Sequence, residues 1–588
     1  MRRLAFVIGG LSTAATSLLG ACSSASTATR EAPAPNAAAA AVPSMLPLKY
    51  TGPATRPAIV AADMMTRLYI IADDSMMGRA ADTPYNAKGA LYIERELKRM
   101  GLQPAGENGT YFQFPLEQRE IDPSATIMVG GRALKLWTEF APRDQGAGAQ
   151  AFDGATVVYG GSLGDPQRVV PPASVVGKVV LLTIGKDSAG RPNFNVNRNQ
   201  LSVHFPNAVA IAVVTLDDLP AGYVDQFFRV PAVLPKGAGE SRPLPNYFYV
   251  TKAVARAMLG RDAATAEPGA EGGKISGQIR FVAKDAPARN VVAIIPGSDP
   301  ALRGQYVAIG AHNDHVGFNN EPADHDSVKA YQLIARPQGA DNEETPVAQA
   351  DWARIHRVAD SLRATHAARR DSIYNGADDD GSGTTTVLEI AEAFANARVK
   401  PKRSLLFVWH TGEELGLLGS SYFTDHPTVP RDSIVAQLNI DMVGRGGAND
   451  FTGVTKAGAP IHGGPGYLQL IGSRRLSTEL GDLAETVNGA QGGTLKFDYS
   501  LDANGHPQNI YCRSDHYMYA RYGIPIIFFT TGGHADYHQV TDEPQYIDYN
   551  RMEAVGKLVY GIAEQVGNLD HRVVVDKPKP NPRGSCQQ

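Results

Sequence analysis

The chain has 588 residues, 43% of them hydrophobic and 20% charged, with a formal net charge of −4. That length exceeds one ordinary domain and implies at least two, while the composition is that of a globular protein. The charge is nearly balanced and Lys and Arg form no cluster, which leaves no electrostatic footprint for nucleic acid and keeps peptides and small molecules as ligands.

At the start, Arg2 and Arg3 precede an apolar run that ends Leu19-Gly20-Ala21-Cys22. A transmembrane helix needs roughly 20 predominantly apolar residues, and this run is shorter and diluted by Gly, Ser and Thr, so it reads as an export signal. The small residues before Cys22 resemble a bacterial lipobox, in which the cysteine is lipidated and becomes the mature N-terminus; a plain secretory signal is the alternative. On the lipobox reading residues 1–22 are removed, the protein is exported to the periplasm or outer membrane, and its one membrane attachment is a lipid on Cys22. Residues 23–50, rich in Ala, Ser, Thr and Pro as far as Pro47, hold too little apolar surface to offset their ordering entropy and read as a tether. Cys512 and Cys586 are the other two cysteines; an oxidising compartment permits a bridge, and two separate thiols stay equally open.

Residues 51–120 start the main domain and read as largely helical from Pro57 to Glu117. The clearest run is Tyr85–Leu102, with Gly101 as its stop. From 121 to 285 the texture changes to short apolar runs (ATVVYGG, KVVLLTIG, AVAIAVVTL) separated by Gly, Pro and Asp, a β-rich insert with one or two helices. Residues 286–570 alternate strand and helix, with strand candidates RNVVAIIPG, QYVAIGA, RSLLFVWH, VAQLNI and IPIIFFTT, and 571–588 form a tail. Continuous apolar strands of this kind predict an α/β fold: a mixed, mostly parallel sheet covered by helices on both faces, with ligands bound beyond the carboxyl ends of the strands.

Just past those strand ends stand His312 and Asp314, Glu413 and Glu414, Asp441, and His538; Asp379 lies in NGADDDGSG ahead of a helix over Ser382–Asn396, where amides at the helix start can orient it. A lone Asp or His at a strand end is usually a solvated loop residue or a cap, but five in the expected places outweigh that reading. Three carboxylates and two neutral imidazoles facing two divalent ions leave about one positive charge for a bridging hydroxide. The mixed donor set favours zinc over magnesium or calcium. Asp314 is the natural partner for the second ring nitrogen of His312.

The motifs AHNDHVG, NGADDDGSG, TGEELGLLGS, NIDMVGR, RSDHYMYARYGIPIIFF and YHQVTDE resemble, in that order, the co-catalytic zinc exopeptidases, which include bacterial leucyl aminopeptidases and, more distantly, glutamate carboxypeptidase and the transferrin receptor. The resemblance implies two zinc ions bridged by Asp379, with His312 and Asp441 on one and Glu414 and His538 on the other. Glu413 is then the general base for the shared water, and Tyr537 resembles the tyrosine that stabilises the oxyanion, with simple packing beside the site as the alternative. Asp542 supplies a carboxylate near His538. His534, His410 and His315 compete for the fifth ligand position. Arg513 either binds substrate or pairs with Asp515. The 121–285 insert resembles a protease-associated domain, acting in substrate access or as a passive spacer.

One segment departs from the family pattern. Residues 319–373, between two candidate ligands, are long and contain DWARIHRVADSLRATHAARR, with Trp352, Ile355, Val358 and Leu362 at helical spacing; we read it as a lid or wall over the substrate pocket. The resemblance favours an aminopeptidase. A carboxypeptidase or dipeptidase of the same fold is the alternative, a catalytically inactive receptor-like protein is the reading from another class, and a one-zinc glutaminyl cyclase is a third.

Overall fold

The computed structural model describes residues 46–144, 151–163, 169–185, 204–219, 222–229, 232–237, 244–340 and 347–588. The signal segment with Cys22 and most of the tether lie outside the described residues, as do 341–346 within the 319–373 segment. Residues 46–50, expected to be tether, are packed: Leu46 and Tyr50 rest against the main core, and Lys49 pairs with Asp74 at 2.8 Å.

All five strand candidates of the second half form strands of one nine-stranded sheet. In chain order these are β1 (Gln103–Pro104), β2 (Phe112–Gln113), β3 (Asn290–Ile295), β4 (Tyr306–His312), β5 (Ser404–His410), β6 (Ile434–Ile440), β7 (Tyr467–Ile471), β8 (Lys496–Asp498) and β9 (Ile526–Thr530). The spatial order is β1-β3-β5-β4-β6-β9-β7-β8, with β2 also on β3. The four central strands β5, β4, β6 and β9 run parallel, whereas β3 and β7 join them antiparallel. The sheet is therefore mixed, and its parallel part is the centre. Every residue of β5, β6 and β9 is buried, as expected of strands covered on both faces.

The helices of this domain are α1 (Ala61–Ile71), α2 (Pro84–Met100), α3 (His325–Ala335), α4 (Gln349–Arg363), α5 (Gly383–Asn396), α6 (Leu418–Asp425), α7 (Thr478–Ala490), α8 (His516–Ala520) and α9 (Tyr549–Asn568). Because successive strand side chains alternate, Val307, Ile309 and Ala311 of β4 join α1, α2, α5, α7 and α9 in one core, while Ala308 faces Phe423 of α6 and Tyr517 and Tyr519 of α8 in another. Pro84 opens α2, and Gly101, at φ 74°, ends it in a left-handed conformation that only glycine adopts cheaply. Past Gly101 the helical expectation fails: Gln103–Pro104, Phe112–Gln113 and Leu116–Ile121 are short strands, stabilised by pairing partners far away in the chain.

Behind the sheet, Arg67 of α1 is fully buried and bonds Glu389 of α5 at 2.5 Å, Glu96 of α2 at 2.8 Å, and Glu392. Such a buried network gains little net stability, because desolvation offsets the attraction, but it fixes how the three helices meet.

The β-rich insert forms its own eight-stranded sheet, with Phe152–Leu163, Val179–Ile184 and Ala210–Val214 at its centre and a helix over Lys252–Leu259. It leaves the main domain through neighbouring antiparallel strands, Leu116–Ile121 and Phe281–Asp285. Ala232–Pro235 adds to that stem and lies beside the loop after β5, where Leu116, Val233 and Leu418 share an apolar cluster.

The 319–373 segment is a hairpin (Phe318–Asp324 against Arg370–Ile373) topped by α3 and α4. Of the apolar stripe read from sequence, Ile355 is buried, with Ala330 and Ala359, but Trp352 stays 43% exposed. Polar anchors attach the segment instead. Lys329 bonds Asp536 at 2.8 Å, His325 bonds Glu543 at 2.8 Å, and the Ala340 amide donates to the Tyr537 carbonyl at 3.2 Å.

Cys512 and Cys586 are joined by a disulfide, Cα to Cα 5.8 Å, which brings the 571–588 tail back beside α8. Among the described residues no helix is long and apolar enough to cross a membrane.

Candidate metal centre

Four of the five ligand candidates emerge from adjacent parallel strands. His312 ends β4, Glu414 follows β5, Asp441 follows β6, and His538 lies on the loop after β9. The fifth, Asp379, sits in a distorted turn just ahead of α5. The structure brings all five together around the Asp379 carboxylate. His312 Nε2 stands 3.1 Å from its Oδ1 and 3.7 Å from Asp441 Oδ1, while His538 Nε2 stands 3.0 Å from Asp379 Oδ2 and 3.0 Å from Glu414 Oε2. Each oxygen of one carboxylate thus faces an imidazole, and each imidazole lies beside a second carboxylate.

Two groups of potential donors meet here, His315, Asp379, Glu414 and His538 on one side and His312, Asp380 and Asp441 on the other, each with its atoms within 4.8 Å of one another. Asp380 is already occupied. Its Oδ2 accepts from the His312 amide at 3.0 Å, and its Oδ1 accepts from Gly383 at 2.9 Å and Met442 at 3.3 Å. Its work is to cap α5 and lock two loops, so Asp379 is the better donor on the His312 side.

The backbone is held by charge as well as by strands. Asp542 accepts from the amides of Asp378 at 3.0 Å and Asp379 at 3.2 Å, so it orients the Asp379 loop, a task expected of helix-start amides. Ser514 donates to Asp441 Oδ2 at 2.7 Å and is itself held by Asn439 at 3.0 Å, which leaves Oδ1 toward His312. Arg79, fully buried, donates to the carbonyls of Asn313 at 3.3 Å, Asn375 at 2.6 Å and Gly376 at 2.9 Å, tying the His312 loop to the Asp379 loop. Met442 and His538 adopt left-handed backbone, φ 59° and 56°, which costs about 1–3 kcal/mol each and is sustained only by such surroundings.

The remaining candidates fall as follows. His312 Nδ1 is 3.2 Å from the Asp314 carbonyl and 3.7 Å from its carboxylate, so the backbone oxygen is the nearer partner; the Asp314 carboxylate accepts the Glu413 amide at 3.2 Å. Tyr537 is half-buried and stacks on His538 with ring centroids 3.9 Å apart. Arg513 is exposed, while Asp515 is buried 3.4 Å from His410 Nδ1. Of the competing histidines, His410 Nε2 meets the Tyr519 hydroxyl at 3.0 Å and His534 Nε2 meets Asp378 Oδ2 at 3.1 Å, so both are engaged elsewhere. His315 alone joins the centre. Sequence reasoning singled out neither Arg79 nor Ser514, because both act through contacts that only the tertiary fold creates.

Burial and crowding shift the titrations. Burial pushes the Glu413 carboxyl well above the usual carboxylate range, and Glu414 and Asp441 add to this against His312. Burial works the same way on Asp379, but bonds from His312 and His538 overcome it and hold that carboxyl well below its usual range. For His312, burial favours the neutral ring, yet Asp441, Asp314 and Asp379 together raise it well above its ordinary value. His538 rises likewise under Glu414 and Asp379. An enclosed set of carboxylates that drags imidazoles toward protonation is a set that cations stabilise, and its mixed nitrogen and oxygen donors suit zinc.

Residues 290–563 match the model of Peptidase family M28, a span that includes all five ligand candidates and excludes the β-rich insert. Leupeptin-inactivating enzyme 1 of Streptomyces exfoliatus is 43% identical over 77 residues, 13% of this chain and 18% of that protein. Leucine aminopeptidase 1 of Coccidioides posadasii (strain C735) is 34% identical over 160 residues, 26% of this chain and 36% of that one. The chain spans less than half the length of the curated relatives it matches, 18% to 48% among them. A solved zinc aminopeptidase from Bacillus subtilis aligns with 89% of this chain and 99% of its own at 16% identity and a TM-score of 0.42.

Proposed function

We propose that the protein, whose residues 290–563 match the model of Peptidase family M28, is an exported exopeptidase of that family that removes N-terminal residues from peptides with two zinc ions. The observation that carries this reading is the Asp379 carboxylate, with an imidazole 3.1 Å from one oxygen and another 3.0 Å from the other. His312, Asp379 and Asp441 would hold one ion, and Asp379, Glu414 and His538 the second. Bound there, zinc supplies a Lewis acid for the scissile carbonyl and lowers the pKa of water.

The chain's own groups do the rest. Glu413, beside the ligands but not among them, takes the proton of the attacking water and returns it to the leaving amine. Ser514 and Asp542 keep Asp441 and Asp379 in register, so little reorganisation is needed as charge develops. The Tyr537 hydroxyl is our assignment for the oxyanion donor, and Arg513 for a contact with substrate. Segment 319–373 bounds the substrate pocket from the loop that carries Tyr537 and His538, and the β-rich insert, beside the loop after Glu414, governs access as a protease-associated domain does. Export rests on the apolar run before Cys22, and lipidation of that cysteine is the proposed anchor.

Matched peptides, one blocked at the amino end and one at the carboxyl end, test the activity. The reading expects cleavage of the carboxyl-blocked peptide and none of the amino-blocked one. The opposite pattern would establish a carboxypeptidase; if protein loaded with zinc cleaves neither, an unblocked dipeptide separates the dipeptidase, which cleaves it, from the receptor-like alternative, which does not.

A further inference from the structure

His315 is fully buried three residues after His312, its amide held by the Arg79 carbonyl at 3.3 Å. Its ring occupies a seat that exists because residue 376 is glycine: a Cβ there would approach the ring to 2.6 Å, and Gly376 is also left-handed at φ 57°. From that seat Nδ1 points at 2.8 Å to Glu414 Oε1 and 3.6 Å to Asp379 Oδ2. Asp379 Oδ2 to His538 Nε2 and His538 Nε2 to the second Glu414 oxygen, Oε2, are 3.0 Å each, and one donor atom from each of the four residues lies within 4.8 Å of the others.

We propose that His315 is a fourth protein ligand of the ion on the Glu414 side, which then has His315, Asp379, Glu414 and His538 around it and takes a shared water only as a fifth ligand, while the His312 side keeps three protein ligands; the proposal rests on the two-zinc reading above. Four donors at about 2.0–2.1 Å from one tetrahedral ion stand roughly 3.3 Å apart. The two separations from Asp379 Oδ2, 3.0 Å to His538 and 3.6 Å to His315, bracket that value, and Glu414 offers one oxygen 2.8 Å from His315 and the other 3.0 Å from His538. His410 and His534 are just as buried, yet each has settled on a partner outside the centre. The alternative role for His315 is to donate from Nδ1 to Glu414 and orient it. The consequence of ligation is asymmetry: the four-ligand position binds zinc more tightly, fills first and gives up its metal last.

Two measurements on the full chain decide this. In crystals of the zinc-loaded protein, Nδ1 of His315 is expected about 2.0–2.1 Å from a zinc ion. Zinc on both sides of Asp379 with that nitrogen beyond 3 Å would overturn the assignment alone, whereas no zinc on either side would overturn the two-zinc reading with it. In chelator competition, wild-type protein should release its two zinc ions in separate steps, and His315→Ser should weaken the tighter step by more than about 100-fold, beyond the 10–100-fold lost with an orienting partner. An unchanged tighter step in the variant would also reject the proposal.

Discussion

Glu413→Gln is expected to keep both zinc ions and to lower kcat by about 10²–10⁴-fold, the range that general acid–base catalysis contributes. The substitution is nearly isosteric, so the half-buried side chain keeps its packing, and the amide that bonds Asp314 is untouched. What is lost is a group able to carry a proton from water to the leaving amine. With chemistry rate-limiting, kcat and kcat/KM should fall together, by about 3–5 kcal/mol of transition-state free energy. Metal content by atomic absorption and steady-state kinetics on one free-amine peptide check this. Activity within about tenfold of the parent would remove Glu413 from its role.

The second large effect is expected at Asp379. Asp379→Ala should abolish tight binding of both ions, because the lost carboxylate presents one oxygen to each side. Asp441→Ala and Glu414→Ala should each weaken one ion only. The apo variant should still fold: it loses one acid from a crowded acidic cluster, and Asp380, which locks the loops, is intact. The wild type should also be stabilised by zinc, by about 2.7 kcal/mol for each site at free zinc a hundredfold above Kd, and the variant should not. Zinc titration followed by calorimetry separates the cases. One ion retained at wild-type affinity would contradict the bridging assignment.

The candidate ligands were legible in the sequence for a mechanical reason. In a parallel sheet the strands end on one side, so His312, Glu414, Asp441 and His538, although scattered along the chain, each stand just past an apolar run that can be read as a strand. Asp380 and Asp379 were harder to separate, because three consecutive aspartates share one composition and only the backbone decides which points where. Ser514 and Arg79 carried no such signal: a serine bonded to Asp441 or an arginine satisfied by carbonyl groups looks like any other in sequence, whereas His315, in the same run as His312, was readable as a competitor for the fifth position. The same limit explains the stretch after Gly101, whose short strands are fixed by pairing with β3 and with the insert rather than by local propensity. It also explains the 319–373 segment, where an apolar stripe was visible but the anchors are Lys329 on Asp536 and His325 on Glu543. The cysteine pairing of 512 with 586 could not be read from spacing at all.

Anomalous diffraction at the zinc edge, from crystals grown with the metal present, bears most directly on the central claim. The account expects two peaks, one on each side of the Asp379 carboxylate and about 3.5–4 Å apart. A single peak, or two peaks that do not share Asp379, would contradict it.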